Sequence, residues 1–241
     1  MRFFGDKSGY IISSMAAKKD TFWKRTRERQ ALWLLRQAAE RVPAYKDFLI
    51  EHKFHVSRVR TFEDFKKVPQ TGKKNYLRRY PLRDLAWGGT LNQPLYFSAT
   101  SGSTGEPFYF ARSSVLEWES SLAHEFFLRQ SFRGYDTPTL VLVCFGMGVW
   151  IGGLITHRAF QMAGERGLPV SVLAPGINKI EIFNALKKLA PNFEQIVLAG
   201  YPPFIKDLVD EAPQQGINLT KLNVRFLFAA EAFSEKFRDY I

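Results

Sequence analysis

Thr139-Leu140-Val141-Leu142-Val143-Cys144-Phe145-Gly146-Met147-Gly148 holds the key to the fold. Six residues rich in branched aliphatics run without a charge into a glycine-rich bend, and a helical spacing follows from Ile151 to about Glu165. The uncharged stretch 137–156 approaches the length of a membrane-spanning helix, for which about 20 residues are needed. Pro138 and the glycines at 146, 148, 152 and 153 divide it, however. A buried strand feeding a helix has this pattern; a spanning helix does not.

Downstream the same rhythm repeats. Strands are expected over 170–173, 195–198 and 224–228, and helices over 178–189 and 203–211, with a last helix starting at Ser234. Strands separated by crossover helices imply a parallel sheet. In such sheets ligands bind outside the carboxyl ends of the strands. Those ends are Phe145-Gly146-Met147-Gly148, Pro175-Gly176, Gly200-Tyr201-Pro202 and Ala229-Ala230-Glu231. Each carries glycine or alanine, so the backbone there is open to close approach.

Upstream, short apolar runs over 95–98 and 108–111 read as two strands flanking Thr100-Ser101-Gly102-Ser103-Thr104-Gly105-Glu106-Pro107, and a helix capped by Ser113 or Ser114 runs to about 132. The loop offers backbone N–H groups and four hydroxyls, which is what a polyphosphate cradle requires. It lacks the Gly-Lys-Ser/Thr ending of the P-loop, and a strand follows it instead of a helix. On composition alone, a Ser/Gly hairpin without a ligand stays open.

The first third is different. Residues 22–39 space Trp23, Leu32, Leu35 and Ala39 helically, Val42-Pro43 ends that helix, and Thr61 with Asp64 opens a short capped one that stops at Val68-Pro69. Residues 1–90 hold 21 Lys/Arg against 9 Asp/Glu, whereas 91–241 hold 13 against 14. The net charge of +11 therefore belongs to a basic helical N-terminal cap, residues 1–90, preceding an α/β region, residues 91–241. With 46% hydrophobic and 24% charged residues the chain is expected to fold around a sizeable core. One cysteine excludes a disulfide framework within the chain, and Asp6 and Lys7 interrupt any export signal, so a cytoplasmic location is expected.

The eight loop residues match, at every specified position, the signature Ser/Thr-Ser-Gly-Ser/Thr-Thr-Gly-x-Pro of the adenylate-forming enzymes. The surrounding chain resembles their phenylacetate-CoA ligase branch, with its relatives of capsule biosynthesis. That likeness is carried by Leu34-Leu35 to Val42-Pro43-Ala44-Tyr45, by Phe62 to Pro69 and by Ala230-Glu231-Ala232-Phe233-Ser234. The resemblance implies part of the AMP-binding large domain: an α/β fold with a helical cap, a β-hairpin phosphate loop and a mainly parallel sheet with crossover helices. It also implies a two-step reaction, in which a carboxylate attacks the α-phosphate of ATP to give an acyl-adenylate and pyrophosphate, and a thiol, usually of coenzyme A, takes the acyl group.

By the same resemblance Thr100, Ser101, Gly102, Ser103, Thr104 and Gly105 hold the β- and γ-phosphates. Ala229, Ala230, Glu231 and Ala232 lie along the adenine and acyl group, and Phe145, Gly146, Met147, Trp150, Tyr201 and Phe204 line the acyl pocket. ATP, magnesium and coenzyme A are the implied cofactors and a small carboxylate the substrate; a homodimer stays open. Departures exist: Phe108 replaces a lysine common after the loop, and Ala230 replaces a common glycine. No Tyr-Gly-x-Thr-Glu stretch, which carries the family's magnesium-binding glutamate, is present, nor are the later ribose-binding aspartate and the C-terminal lysine. Catalytic residues stay unassigned. The chain is expected to be the front portion of a longer protein and inactive by itself, an expectation shared by the helix that starts at Ser234 without a terminating glycine.

Other candidates have bland readings. Cys144 is expected to be an inert core thiol, His52 and His55 a solvated pair sharing a helix face, and His124 and His157 packed or surface residues. Glu231 stands at a strand end beside the expected cleft. Lys66, Lys67, Lys73, Lys74, Arg78, Arg79 and Arg83 are close enough in sequence to form one patch, which fits a solvated surface, steering of polyanionic substrates, or an anionic docking partner. No dedicated nucleic-acid motif accompanies them. Two alternatives to the coenzyme A ligase remain: an adenylating enzyme of capsular or exopolysaccharide synthesis with another acceptor, and a non-catalytic basic binding module.

Overall fold

The computed structural model describes residues 8–100, 106–132 and 136–241. Contacts divide the chain into two compact units, Gly9–Pro94 and Leu95–Ile241, with Ser8 counted to the second.

Helices α1 (Ser8–Ala17), α2 (Asp20–Arg41), α3 (Pro43–Glu51) and α4 (Phe62–Phe65) lie N-terminal to the first strand. Asp20 in the first turn of α2 and Arg41 in its last complement the helix dipole. Val42 ends α2 with an extended backbone, as a residue before proline should. In the sequence Val42-Pro43 marks a helix stop. Pro43 also starts α3, because the first helical position needs no N–H donor and proline presets its φ. The capping box at α4 forms as expected: the Asp64 N–H donates to Thr61 Oγ1 (3.2 Å) and the Thr61 N–H to Asp64 Oδ2 (3.0 Å). The Thr61 N–H and hydroxyl and the Arg60 N–H all donate to the Asp64 carboxylate and hold its pKa down at about 2. Ala44, Phe48, Leu49 and Tyr76 form the small core of this unit. Tyr76 comes from a π-helical turn, Lys73–Leu77, which periodicity did not suggest.

The second unit follows the expected alternation closely. A hairpin of β1 (Leu95–Ala99) and β2 (Tyr109–Ser113) pairs Leu95 with Ser113 and Ala99 with Tyr109. Helix α5 (Ser114–Ser131) begins at Ser113, whose hydroxyl accepts from the Leu116 N–H. Then come β3 (Thr139–Cys144), α6 (Ile151–Glu165), β4 (Val170–Leu173), α7 (Lys179–Lys188), β5 (Gln195–Gly200), α8 (Pro202–Glu211), β6 (Val224–Phe228) and α9 (Glu235–Tyr240). The last four strands form a parallel sheet in the order β4-β3-β5-β6.

The strand period of two explains the layers. Leu140, Leu142, Cys144, Ile196 and Leu198 face Ile182 and Leu186 of α7 and Ile205 and Leu208 of α8. Val141, Val143, Val197 and Ala199 face Leu128 of α5 and Phe160 and Ala163 of α6. Both central strands are buried along their whole length, so they read as unbroken apolar runs. Each fully buried Leu or Ile there contributes roughly 2 kcal/mol. Among the described residues no helix is long and apolar enough to cross a membrane, so the uncharged stretch 137–156 is a strand and a helix.

Candidate functional site

The carboxyl edge of the parallel sheet gathers most of the residues singled out from sequence. Register puts Cys144 beside Gly200 and Gly200 beside Phe228, so Phe145, Tyr201 and Ala229 leave their strands at one level. The Ala229 N–H donates to the Gly200 carbonyl (3.4 Å) and continues the ladder one step past β6. Gly200 lets α8 pack close to this edge, since a Cβ there would stand 2.6 Å from Ile205 Cδ1 and the isoleucine would have to shift.

The hairpin joins this edge directly. The Ala99 N–H donates to the Val149 carbonyl (2.7 Å), and Ala99 forms a parallel bridge with Trp150. One residue further, the Thr100 N–H donates to the Phe108 carbonyl (3.1 Å), and the Phe108 N–H returns a bond to Thr100 Oγ1 (3.2 Å). Thr100 thus closes the mouth of the loop beside the bend after β3. Ser101, Gly102, Ser103, Thr104 and Gly105, the rest of the expected phosphate cradle, lie outside the described residues.

The six residues expected to line an acyl pocket occupy two levels. Trp150 and Tyr201 are 38% and 39% exposed at the edge. Phe145 is 6% exposed and belongs to the core with Val143, Phe160 and Leu128, so its ring supports the edge from beneath. Met147 points inward: its Sδ would meet a Cβ on Gly153 at 2.6 Å and its Cγ one on Gly176 at 3.2 Å. Gly146 leaves room for Trp150 to fold back, since a Cβ there would be 2.9 Å from the indole Cδ1. Phe204 packs against the α7–α8 core.

Ala229, Ala230, Glu231 and Ala232 are all exposed after β6. The Glu231 carboxylate interacts with the Tyr201 hydroxyl and, with a smaller contribution from burial, raises the tyrosine pKa. This interaction ties the turn after β5 to the segment after β6. Ala230 holds φ at +79°, a left-handed conformation suited to glycine, at the position where the sequence departs from the family's common glycine.

Two buried charge networks were not anticipated, because an arginine or glutamate in sequence signals surface. Beneath the hairpin Arg112 donates to Glu117 Oε1 (2.5 Å) and to the Ser98 hydroxyl, all three residues being at most 4% exposed. Further along α5, Glu125 is fully buried and accepts from Arg129 and Arg166. The spacings Arg112 to Glu117 and Glu125 to Arg129 were legible, but nothing in them marked burial.

No family model matches the chain. It is 24% identical over 242 residues to phenylacetate-coenzyme A ligase of Pseudomonas putida, covering 100% of this chain and 52% of that protein. To the ligase of the same name from Escherichia coli K12 it is 25% identical over 211 residues, covering 87% and 46%. Among solved structures it is similar to 2-hydroxyisobutyryl-CoA ligase with 2-HIB-AMP and CoA. The TM-score is 0.67 at 20% identity for the thioester-forming state and 0.68 at 19% for an open conformation, covering 85% and 87% of this chain and 43% and 48% of those. In sequence and in fold the chain is similar to the adenylate-forming enzymes. It spans about half the length of the relatives it matches and corresponds to their N-terminal portion.

The remaining candidates of the sequence are structural. His52 and His55 do not share a helix face: His52 caps α3 with its Nδ1 2.8 Å from the Phe48 carbonyl, while His55 is extended. His124 Nδ1 meets the Ser120 carbonyl, and burial lowers the pKa of this histidine. Cys144 is buried in the sheet, and its thiol is pushed up to about 12. In the basic patch, Lys66 pairs with Glu63, Lys67 with Asp64 and Arg79 with Glu51.

Proposed function

We propose that residues 95–241 form the ATP-phosphate and acyl-binding part of an acid-thiol ligase that converts a carboxylate and ATP to an acyl-adenylate and then to an acyl-CoA. The observation that carries this reading is Thr100, which closes the loop mouth immediately beside the bend at the carboxyl edge of β3. The two ends of the loop, Thr100 and Phe108, thus stand by the edge at which parallel sheets bind ligands. The likeness to phenylacetate-coenzyme A ligases supports coenzyme A as acceptor.

In this reading the amides and hydroxyls of 101–105 stabilise charge on the β- and γ-phosphates as pyrophosphate leaves. Tyr201 and Glu231 brace the two turns that flank the acyl-adenylate, and Trp150 offers the exposed aromatic wall. Ala229 to Ala232 present backbone to the base. Among the described residues no group of three or more His, Cys, Asp or Glu converges to hold a metal ion. The chain has no Tyr-Gly-x-Thr-Glu stretch and spans about half of its relatives, which supports the further reading that residues 1–241 bind ATP without completing the reaction. Reactants of this kind fit a cytoplasmic enzyme.

Equilibrium dialysis of ATP against the 241-residue chain tests the site. Ser101→Ala with Thr104→Ala removes two charge-assisted hydrogen bonds and should weaken ATP at least about tenfold. Unchanged affinity in the double variant would overturn the assignment. Thioester formation with coenzyme A, assayed over a panel of aliphatic and aryl acids on the full gene product, decides the acceptor.

A further inference from the structure

The first unit contains a cleft of about 440 Å³ along α2, lined by Arg25, Glu28, Arg29, Leu32, Trp33, Arg36 and Phe62. Its volume falls within the range of small-molecule sites. Positions 25, 29, 32, 33 and 36 recur at helical spacing on one face of α2, so three guanidinium groups line one wall. Arg25 and Arg29 lie on adjacent turns, roughly 6 Å apart along the axis, and Arg36 two turns further on.

Like charges at this spacing repel and destabilise a helix. Elsewhere in the unit the cations of Lys66, Lys67 and Arg79 are neutralised by carboxylates. Here they are not. Among the described residues no carboxylate lies within 4.0 Å of Arg25, Arg29 or Arg36, although Glu28 shares the cleft; Arg36 gives one long bond, to the Val59 carbonyl (3.4 Å). Trp33 stands 55% exposed between Arg29 and Arg36 in the sequence of α2, on the cleft that Leu32 and Phe62 also line.

We propose that this cleft binds a soluble phosphate ester carrying a planar or apolar group. Arg25, Arg29 and Arg36 take the phosphate oxygens, for which the guanidinium fork is suited, and Trp33 and Leu32 take the organic part. The proposal shares no residue with the loop at 100–105 and does not depend on the function proposed for it.

The test is a titration of the 241-residue chain with 1-naphthyl phosphate, read by fluorescence quenching that Trp33→Phe abolishes. Arg25→Ser with Arg29→Ser should weaken binding at least tenfold, and neutral 1-naphthol should bind at least tenfold more weakly than its phosphate. Ser101→Ala with Thr104→Ala should leave binding unchanged. The arginines are exposed, and circular dichroism checks that their variants fold. Equal binding of naphthol and its phosphate, or binding indifferent to the arginine variants, overturns the proposal. Sedimentation with phosphatidylglycerol vesicles without saturable binding of the small phosphate overturns it in favour of a membrane surface. Binding lost only in the loop variant overturns it too, while leaving the loop assignment standing.

Discussion

Cys144 and Ala230 show how a single residue reports its surroundings. Burial in the sheet disfavours the thiolate and raises the Cys144 pKa to about 12, which leaves about one thiolate in ten thousand at pH 8. The folded chain should therefore fail to react with an Ellman-type disulfide at pH 8, and the denatured chain should release one thiol equivalent. Rapid reaction of the native protein would contradict the packing. A raised folded-state pKa also means that the thiol's contribution to stability is complete below about pH 9 and is lost as pH rises towards 12. Ala230 makes the opposite point, since its left-handed φ of +79° is a cost that its side chain imposes. Ala230→Gly should raise stability by about 0.5–1 kcal/mol in urea unfolding, even though glycine gains freedom in the unfolded chain. A fall in stability would mean that the methyl group makes a contact worth more than the strain.

At the scale of elements, what matters is how closely α6 approaches the bend after β3. A Cβ on Gly153 would lie 2.3 Å from the Gly146 carbonyl oxygen and 2.6 Å from Met147 Sδ. Gly153→Ala should therefore cost about 1–3 kcal/mol by forcing helix and bend apart, and it should disturb Trp150 fluorescence. Gly148 gives the comparison: its φ is +81° but nothing lies within 4 Å of an added Cβ. Gly148→Ala should cost about 1 kcal/mol of conformational strain and leave Trp150 in place. Calorimetry of the two variants separates the effects, and equal shifts with equal spectra would count against the close approach. The elements themselves were largely legible. β3, α6, β4 and β6 run over the residues expected, because unbroken aliphatic runs and glycine bends leave a parallel strand few alternatives. Not legible were α1, which no helical spacing marks, α3, because a proline after valine signals a stop, and the π-helical turn at Lys73–Leu77, whose Tyr76 joins a core assembled from separate segments.

For the whole molecule, the charge step in the sequence and the division into contact units fall close together, near residue 90 and after Pro94. We propose that this division marks two domains. Leu91, Asn92, Gln93 and Pro94 are all exposed and outside regular structure. Limited chymotrypsin digestion followed by mass spectrometry should place the first cut at Trp87 or Leu91 and yield two persistent fragments. A first cut inside 139–228 would show that the chain does not divide there.

The amino-acid sequence alone determined the alternation of strands and helices, the loop between β1 and β2, and the edge to which the strands deliver their glycine turns. Those properties are local: they follow from periodicity, from glycine and proline, and from short patterns read within a few residues. Only the tertiary structure decided the strand order β4-β3-β5-β6, the burial of Arg112, Glu117 and Glu125, the inward turn of Phe145 and Met147, and the meeting of Tyr201 with Glu231. Each of these depends on which distant segment supplies a neighbour, and a side chain's burial and partners come from that neighbour.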